Sequence, residues 1–342
     1  MKLTIFQERL PLPVVGYGGT ERVSQSHFIG QCELNKHDVT LVCRKESTIS
    51  HPNGKVIFLE EEILQDLRKG RKKVKDYIPD GDIILVQFPE STDPMDLSET
   101  NYKRVSVCNG DIGEPTGSKH QVFLTHGHKA AHETFRSQDF SENKYVVNNG
   151  LVYDDFELVQ TREKVCWMSS VEGRKSPEIF VKLAVQSLHD EQSSIGEKKL
   201  LAIPKKCYFK AAGSHGVMNH PYIDWNGELQ TEKDKTKFFS DAEVYVHTAF
   251  SPNFNEPFGL SMIEAQFCGV PVIGLQTGGI TEVVYDTTLI FDNFDDLMQC
   301  LRDKKYLKHR PEDIRQWTID KFSHTKMVEN YNVVFDKVMN DS

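Results

Sequence analysis

The chain has 342 residues, 38% hydrophobic and 27% charged, the length and balance of two soluble α/β domains with separate cores. Its formal net charge of -9 argues against a surface devoted to nucleic acid. Seven cysteines, at 32, 43, 108, 166, 207, 268 and 300, are odd in number and show no C-x-x-C or His-Cys spacing, so they read as reduced, mostly buried thiols rather than a disulfide framework or zinc site. The opening MKLTIFQERL has too short an apolar run for a signal peptide, and no run of about 18 apolar residues follows. A cytoplasmic protein is expected.

Residues 3–6 read as a strand, followed by a loop that hands over to a helix near Thr20, a suitable N-cap. Gly16, Gly18 and Gly19 in that loop can bring backbone N–H groups to a phosphate at the helix N-terminus, although such a loop taken alone is more often a plain turn. The dinucleotide fingerprint is incomplete, because Glu21 holds the third position and the next strand, 39–43, ends at Arg44 rather than an acid. No nicotinamide site is expected.

Strand 56–59, helix 61–77, strands 83–88, 105–108 and 122–125, helix 130–135 and strand 145–147 continue the alternation, which predicts a doubly wound parallel sheet. Asp80-Gly81-Asp82 reads as a turn before a strand, and no metal is assigned. His126, His128 and His132 read as loop histidines, since no Cys or acid completes a ligand set. One basic run stands against the acidic average: Arg68, Lys69, Arg71, Lys72, Lys73 and Lys75, placed on the 61–77 helix. It is either a solvated helix C-terminus or a surface for a phosphate-bearing acceptor, lipid or nucleic acid.

Turn residues at 147–156 suggest a boundary near 150–160. A second series follows: strand 165–168, helix 177–188, strand 208–211, a turn and short strand through Gly227, helix 231–239 and strand 244–247. Residues 196–206 form an irregular insertion without an assignment. In 251–285, Glu256 precedes Pro257-Phe258-Gly259, and 260–267 reads as a helix carrying Glu264, with no Lys or Arg nearby to pair it. Gly259 permits close backbone approach, and the N–H groups of the helix's first turn can face an anion. Ionised, Glu256 and Glu264 only accept hydrogen bonds, so sugar or ribose hydroxyls are their natural partners. The apolar run 270–273 reads as a buried strand, and Thr277-Gly278-Gly279 as the opening of another helix and a second anion nest. Strand 289–291 and a helix through Leu301 follow.

Two carboxylates with seven residues between them in E-P-F-G-L-x-x-x-E-A, then C-G-x-P-V-I and G-G-x-x-E-V-V, resemble the retaining nucleotide-sugar glycosyltransferases of family 4. Y-G-G-T-E-R-V at 17–23 and H-D-V-T-L at 37–41 resemble that family's N-terminal signature. The resemblance implies a GT-B fold, two doubly wound parallel-sheet Rossmann-like domains facing across a cleft. It divides the chain into an acceptor-side domain 1–152, a nucleotide-sugar domain 153–320 and a C-terminal helix 321–342 packing back on the first. It also implies a metal-independent transfer with retained configuration from a nucleotide-sugar, a UDP-sugar above all, to a hydroxyl acceptor.

By the same resemblance Gly18 and Gly19 face the donor diphosphate, Arg174 and Lys175 clamp it, and Glu256 meets the sugar hydroxyls. Phe258, Gly259 and Leu260 offer backbone N–H groups, and Glu264 takes the ribose. The chain departs from the pattern in two places. Ser170 stands where the family has the clamp arginine, and Asn109-Gly110-Asp111 where it commonly has a histidine. A nucleotide-sugar epimerase on the same fold and a non-catalytic nucleotide-sugar binding module are the rival readings.

Overall fold

The computed structural model describes residues 1–87, 95–110, 118–135, 142–195, 208–250 and 255–341. Phe88, Asp111, the 196–206 insertion and the first residues of the 251–285 stretch lie outside them. The chain divides into two units, Met1–Tyr153 with Asp320–Ser342, and Asp154–Ile319.

The first unit contains β1 (Lys2–Phe6), α1 (Gly19–Leu34), β2 (Asp38–Arg44), β3 (Gly54–Leu59), α2 (Glu61–Arg68), β4 (Ile83–Val86), β5 (Lys103–Val107), β6 (His120–Phe123), α3 (His126–Phe135) and β7 (Asn143–Val146). Its strands are all parallel in the order β3-β2-β1-β4-β5-β6-β7. β4 is Ile-Ile-Leu-Val and buried throughout, as a strand covered on both faces must be. The chain runs outward through β2 and β3, then returns to the other side of β1, so the topological switch lies between β1 and β4. Phe6, Val42, Ile84 and Val86 pack with Leu64 and Leu67 of α2 on one face. Right-handed crossovers place α1 on the other.

The second unit contains β8 (Lys164–Met168), α4 (Pro177–Ile195), β9 (Phe209–Ala212), β10 (Ile223–Trp225), α5 (Glu232–Phe239), β11 (Ala242–His247), α6 (Leu260–Phe267), β12 (Val272–Leu275), β13 (Ile290–Phe291), α7 (Phe294–Asp303) and α8 (Pro311–Phe322), which ends in the first unit. The sheet order β10-β9-β8-β11-β12-β13 repeats the inside-out winding, with its switch between β8 and β11. Trp167 stacks on Phe180 in its core, ring centroids 6.3 Å apart, and Phe180 meets Phe209 edge to face at 5.6 Å. A last helix, α9 (His324–Asn340), belongs to the first unit.

Several expectations are corrected. Gly18, not Thr20, caps α1, and Thr20 lies inside its first turn. The helix expected over 61–77 stops at Arg68, because Gly70 turns left-handed at φ 63° and Arg71 N–H closes on the Asp66 carbonyl at 2.8 Å. The basic run therefore does not share one helix face, and carboxylates neutralise much of it. Arg68 pairs with buried Glu8, Arg71 and Lys72 reach Asp66 at 3.3 and 3.5 Å, and Lys73 and Lys75 both bind Glu99. The three histidines lie on α3 rather than a loop; His128 and His132 are buried against Phe123, with ring centroids 5.4 and 4.9 Å away. β12 begins two residues later than expected, because left-handed Gly269 closes α6 and Pro271 has no N–H for the ladder. α8 was not expected at all.

His27 of α1 is fully buried, its ring 4.4 Å from Tyr331 of α9, and burial pushes its pKa from 6.5 down to about 3. Below pH 6.5 the unfolded chain binds a proton there that the native chain refuses, so stability falls as pH drops from about 6.5 toward 3, by at most about 1.4 kcal/mol per pH unit. Urea midpoints measured from pH 7 to 4 should fall less steeply for His27→Phe than for wild type; equal slopes would show that this ring does not carry the effect.

Candidate functional site

The loops leaving β8 and β11 meet at the carboxyl ends of the second unit's strands, where open α/β sheets bind ligands. After β8 the chain makes a tight turn over Gly173–Lys175 and turns left-handed at buried Ser176, φ 46°. The end of β11 holds that turn in place. Thr248 Oγ1 donates to the Lys175 carbonyl at 2.9 Å while accepting the Trp167 indole N–H at 2.8 Å, and Ser176 Oγ donates to the Phe250 carbonyl at 2.9 Å. A core tryptophan thus fixes the backbone of Lys175.

Lys175 Nζ lies 2.5 Å from Glu256 Oε2, and both side chains are nearly buried. Burial alone would raise the Glu256 carboxyl, but the charges of Lys175, His247 and Arg174 outweigh it and hold the group below the usual carboxylate range. Its backbone is clasped by Thr277-Gly278-Gly279, which opens a helix as expected, a single turn over Ile280–Glu282. The Gly279 N–H, read as part of a second anion nest, donates to the Glu256 carbonyl at 3.1 Å instead. Gly278 is left-handed, φ 50°, and any Cβ there would collide with the Glu256 backbone.

The Gly259 cap of α6 is also left-handed, φ 85°, and a Cβ would strike Met262. The first-turn N–H groups of α6 thus start one short loop after Glu256. Phe258 buries its ring, so only its backbone can serve a ligand. Glu264, on α6 and 4% exposed, is not unpaired as expected: Lys235 of α5 binds its Oε1. That lysine is 29 residues upstream, beyond any local pattern.

Arg174 is half exposed and its Nε binds Glu172 at 2.6 Å, so the two adjacent cations take different carboxylates. Ser170 is buried, and its hydroxyl has no partner among the described residues. Sequence reasoning missed His247, the buried last residue of β11. Its Nε2 has no partner among the described residues, and burial, against the pull of Glu256, lowers its pKa to about 4. In the first unit, Gly18 caps α1, where a Cβ would meet Val14 Cγ1 at 2.7 Å, and Gly19 is the first helical residue. The Asp80 and Asp82 carboxylates take backbone N–H groups of Gly81, Asn101 and Lys2 at 3.0, 2.7 and 2.6 Å. Among the described residues no group of three or more His, Cys, Asp or Glu could hold a metal.

Comparison with known proteins bears on this arrangement. Residues 204–315 match the family described as Glycosyl transferases group 1. The N-acetyl-alpha-D-glucosaminyl L-malate synthase of Bacillus anthracis is 33% identical over 97 residues, 25% of each chain, so the match spans a quarter of that relative's length. Among solved structures, AviGT4, a glycosyltransferase involved in avilamycin A biosynthesis, superposes with a TM-score of 0.68 at 15% identity, over 100% of this chain and 98% of its own. Anabaena HepE in complex with UDP gives 0.63 at 12%, over 98% and 100%. These likenesses show the fold, two Rossmann-like domains of the GT-B type.

Thr248→Val removes the hydroxyl and leaves the Trp167 N–H and the Lys175 carbonyl without it. Unfolding measurements should show a loss of about 1–3 kcal/mol, with Thr248→Ser close to wild type. A Val variant as stable as wild type would mean that Thr248 does not anchor the turn.

Proposed function

We propose that the chain, whose residues 204–315 match the group 1 glycosyltransferases, is a family 4 enzyme that moves a sugar from a nucleoside-diphosphate sugar to a hydroxyl acceptor with retained anomeric configuration. The observation that carries this reading is the largely buried Lys175–Glu256 pair at the switch point, one short turn before the α6 N-terminus. The Lys175 ammonium has three donors, so it can keep Glu256 and still bind a diphosphate oxygen. Negative charge grows on the departing diphosphate as the glycosidic bond breaks, and Lys175 meets it where water is scarce. The N–H groups of Gly259 and Leu260, at the positive end of α6, meet the same phosphates.

Glu256, kept ionised, accepts hydrogen bonds from the donor sugar's hydroxyls. Glu264 accepts from the ribose through Oε2, with Lys235 fixing the carboxylate through Oε1. The acceptor hydroxyl attacks from the face the diphosphate leaves, and its proton passes to a phosphate oxygen. Leaving-group stabilisation thus falls to Lys175 and the helix terminus, without a metal. UDP is the nucleotide to test first, since HepE shares the fold and binds it. The reading carries a cytoplasmic location, which suits the six buried free cysteines among the described residues.

A phosphate-bearing acceptor was suggested by the 68–75 basic run, whose ion pairs now weaken that suggestion. Ser170, in the clamp-arginine position, favours a non-catalytic binding module as the second reading. A nucleotide-sugar that binds without being hydrolysed or transferred would support it.

Two substitutions test the roles, read by nucleoside diphosphate release from a panel of nucleotide-sugars. Lys175→Ala should lower kcat about 100- to 1000-fold, because its partner charge develops in the transition state. Glu264→Gln should instead raise the donor KM about 10- to 100-fold with a smaller change in kcat, because the ribose contact is the same before and during reaction. An unchanged KM in the second variant would remove Glu264 from the donor site.

A further inference from the structure

The carboxyl ends of β1 and β4 flank the switch point of the first unit, and each strand is followed by a glutamine: Ile-Phe-Gln7 and Leu-Val-Gln87. The two are neighbours across the sheet, since Phe6 is in register with Val86 and the Gln87 N–H donates to the Phe6 carbonyl at 3.4 Å. Strand alternation fixes their direction. Phe6 and Val86 pack toward α2, and Glu8 points the same way to its ion pair with Arg68, so Gln7 and Gln87 both project to the opposite face, where α1 starts.

Both side chains are essentially inaccessible, 1% and 0% exposed, yet neither amide has a hydrogen-bond partner on its oxygen or its nitrogen among the described residues. Glu21, in the first turn of α1 at this same end of the sheet, is 3% exposed; its Oε1 accepts no hydrogen bond among the described residues and faces Arg9 Nε at 3.9 Å. Natural interiors rarely leave whole amides unsatisfied, and two side by side at a switch point mark a place built for a ligand's polar groups. Asn109, following β5, donates its amide to the Gln87 carbonyl and so braces this cluster from below.

We propose that Gln7, Gln87 and Glu21 form an acceptor subsite in the first unit, and that it takes an uncharged polyol, a sugar or cyclitol with adjacent hydroxyls, rather than a phosphate. The proposal rests on the glycosyltransferase reading only for the word acceptor. Each amide presents both a donor and an acceptor, and a carboxylate presents acceptors, which matches hydroxyls that give and receive hydrogen bonds at once. A phosphate dianion offers only acceptors, so it would leave the amide oxygens unsatisfied.

The test is calorimetric titration of the full chain, with and without UDP, by unphosphorylated hexoses, N-acetylhexosamines and cyclitols, each beside its monophosphate. Wild type should bind at least one uncharged member more tightly than its monophosphate. Gln7→Met with Gln87→Met, which keeps the volume and removes both amides, should weaken that binding at least about tenfold while UDP affinity stays unchanged and the melting temperature does not fall. If the double variant does not fold, each single variant carries the same comparison. Preference for the monophosphates, equal polyol binding by wild type and variant, or no binding by any member would overturn the proposal. Polyol binding lost in the variant, together with no nucleotide-sugar turned over by wild type, would support this subsite and contradict the transferase reading alone.

Discussion

A lysine and a glutamate buried together are the constraint around which the second unit is arranged. Removing either charge from water is costly, and the Lys175–Glu256 attraction offsets that cost only while the geometry is held. The surroundings do hold it. Trp167 and Thr248 fix the Lys175 carbonyl, Ser176 ties the turn to Phe250, and Gly278 and Gly279 lie directly on the Glu256 backbone. A pair isolated in a core would be weak evidence for stability. Here it stands at the carboxyl end of a parallel sheet, one turn from a helix N-terminus, where a maintained charge is useful for binding anions and hydroxyls.

The two units repeat one winding and treat the same location differently. In the second, the switch point is closed by ion pairs: Lys175 with Glu256, and nearby Lys235 with Glu264. In the first, it carries neutral amides that have no partner among the described residues, each an unsatisfied buried group worth about 1–3 kcal/mol of destabilisation. A charged donor and an uncharged acceptor would need just this division of chemistry. His247 adds a titratable neighbour to the charged site: burial keeps it neutral near pH 7, where Lys175 dominates the field at Glu256, and it carries charge only toward pH 4, where it helps keep that carboxyl ionised.

Much of this was legible in the sequence where one residue type decided the local structure. Helix α6 has the predicted bounds because Gly259 must start it and Gly269 must follow its end. The alternating apolar runs gave both parallel sheets. The failures share a cause, a residue whose effect is tertiary or whose punctuation was underweighted. Gly70 ended a helix that the charge pattern seemed to extend, and Pro271 displaced a strand otherwise readable from its valines. Lys235 came to Glu264 from another helix, which no spacing rule could supply. Gln87 was hidden inside an expected strand, 83–88, although the repeat of an apolar run ending in glutamine, at 7 and again at 87, was there to be compared.

The central claim is that Lys175 serves the diphosphate while Glu256 serves the sugar, so the two roles must separate when the carboxylate alone is neutralised. The most direct measurement compares the affinities of UDP and of a UDP-sugar for wild type and Glu256→Gln. UDP should bind the variant at least as tightly as wild type, since Lys175 is released from its competitor, whereas the UDP-sugar should lose whatever advantage it has over UDP. A variant that loses UDP affinity about tenfold or more, or that keeps the full advantage of the sugar, would contradict the account.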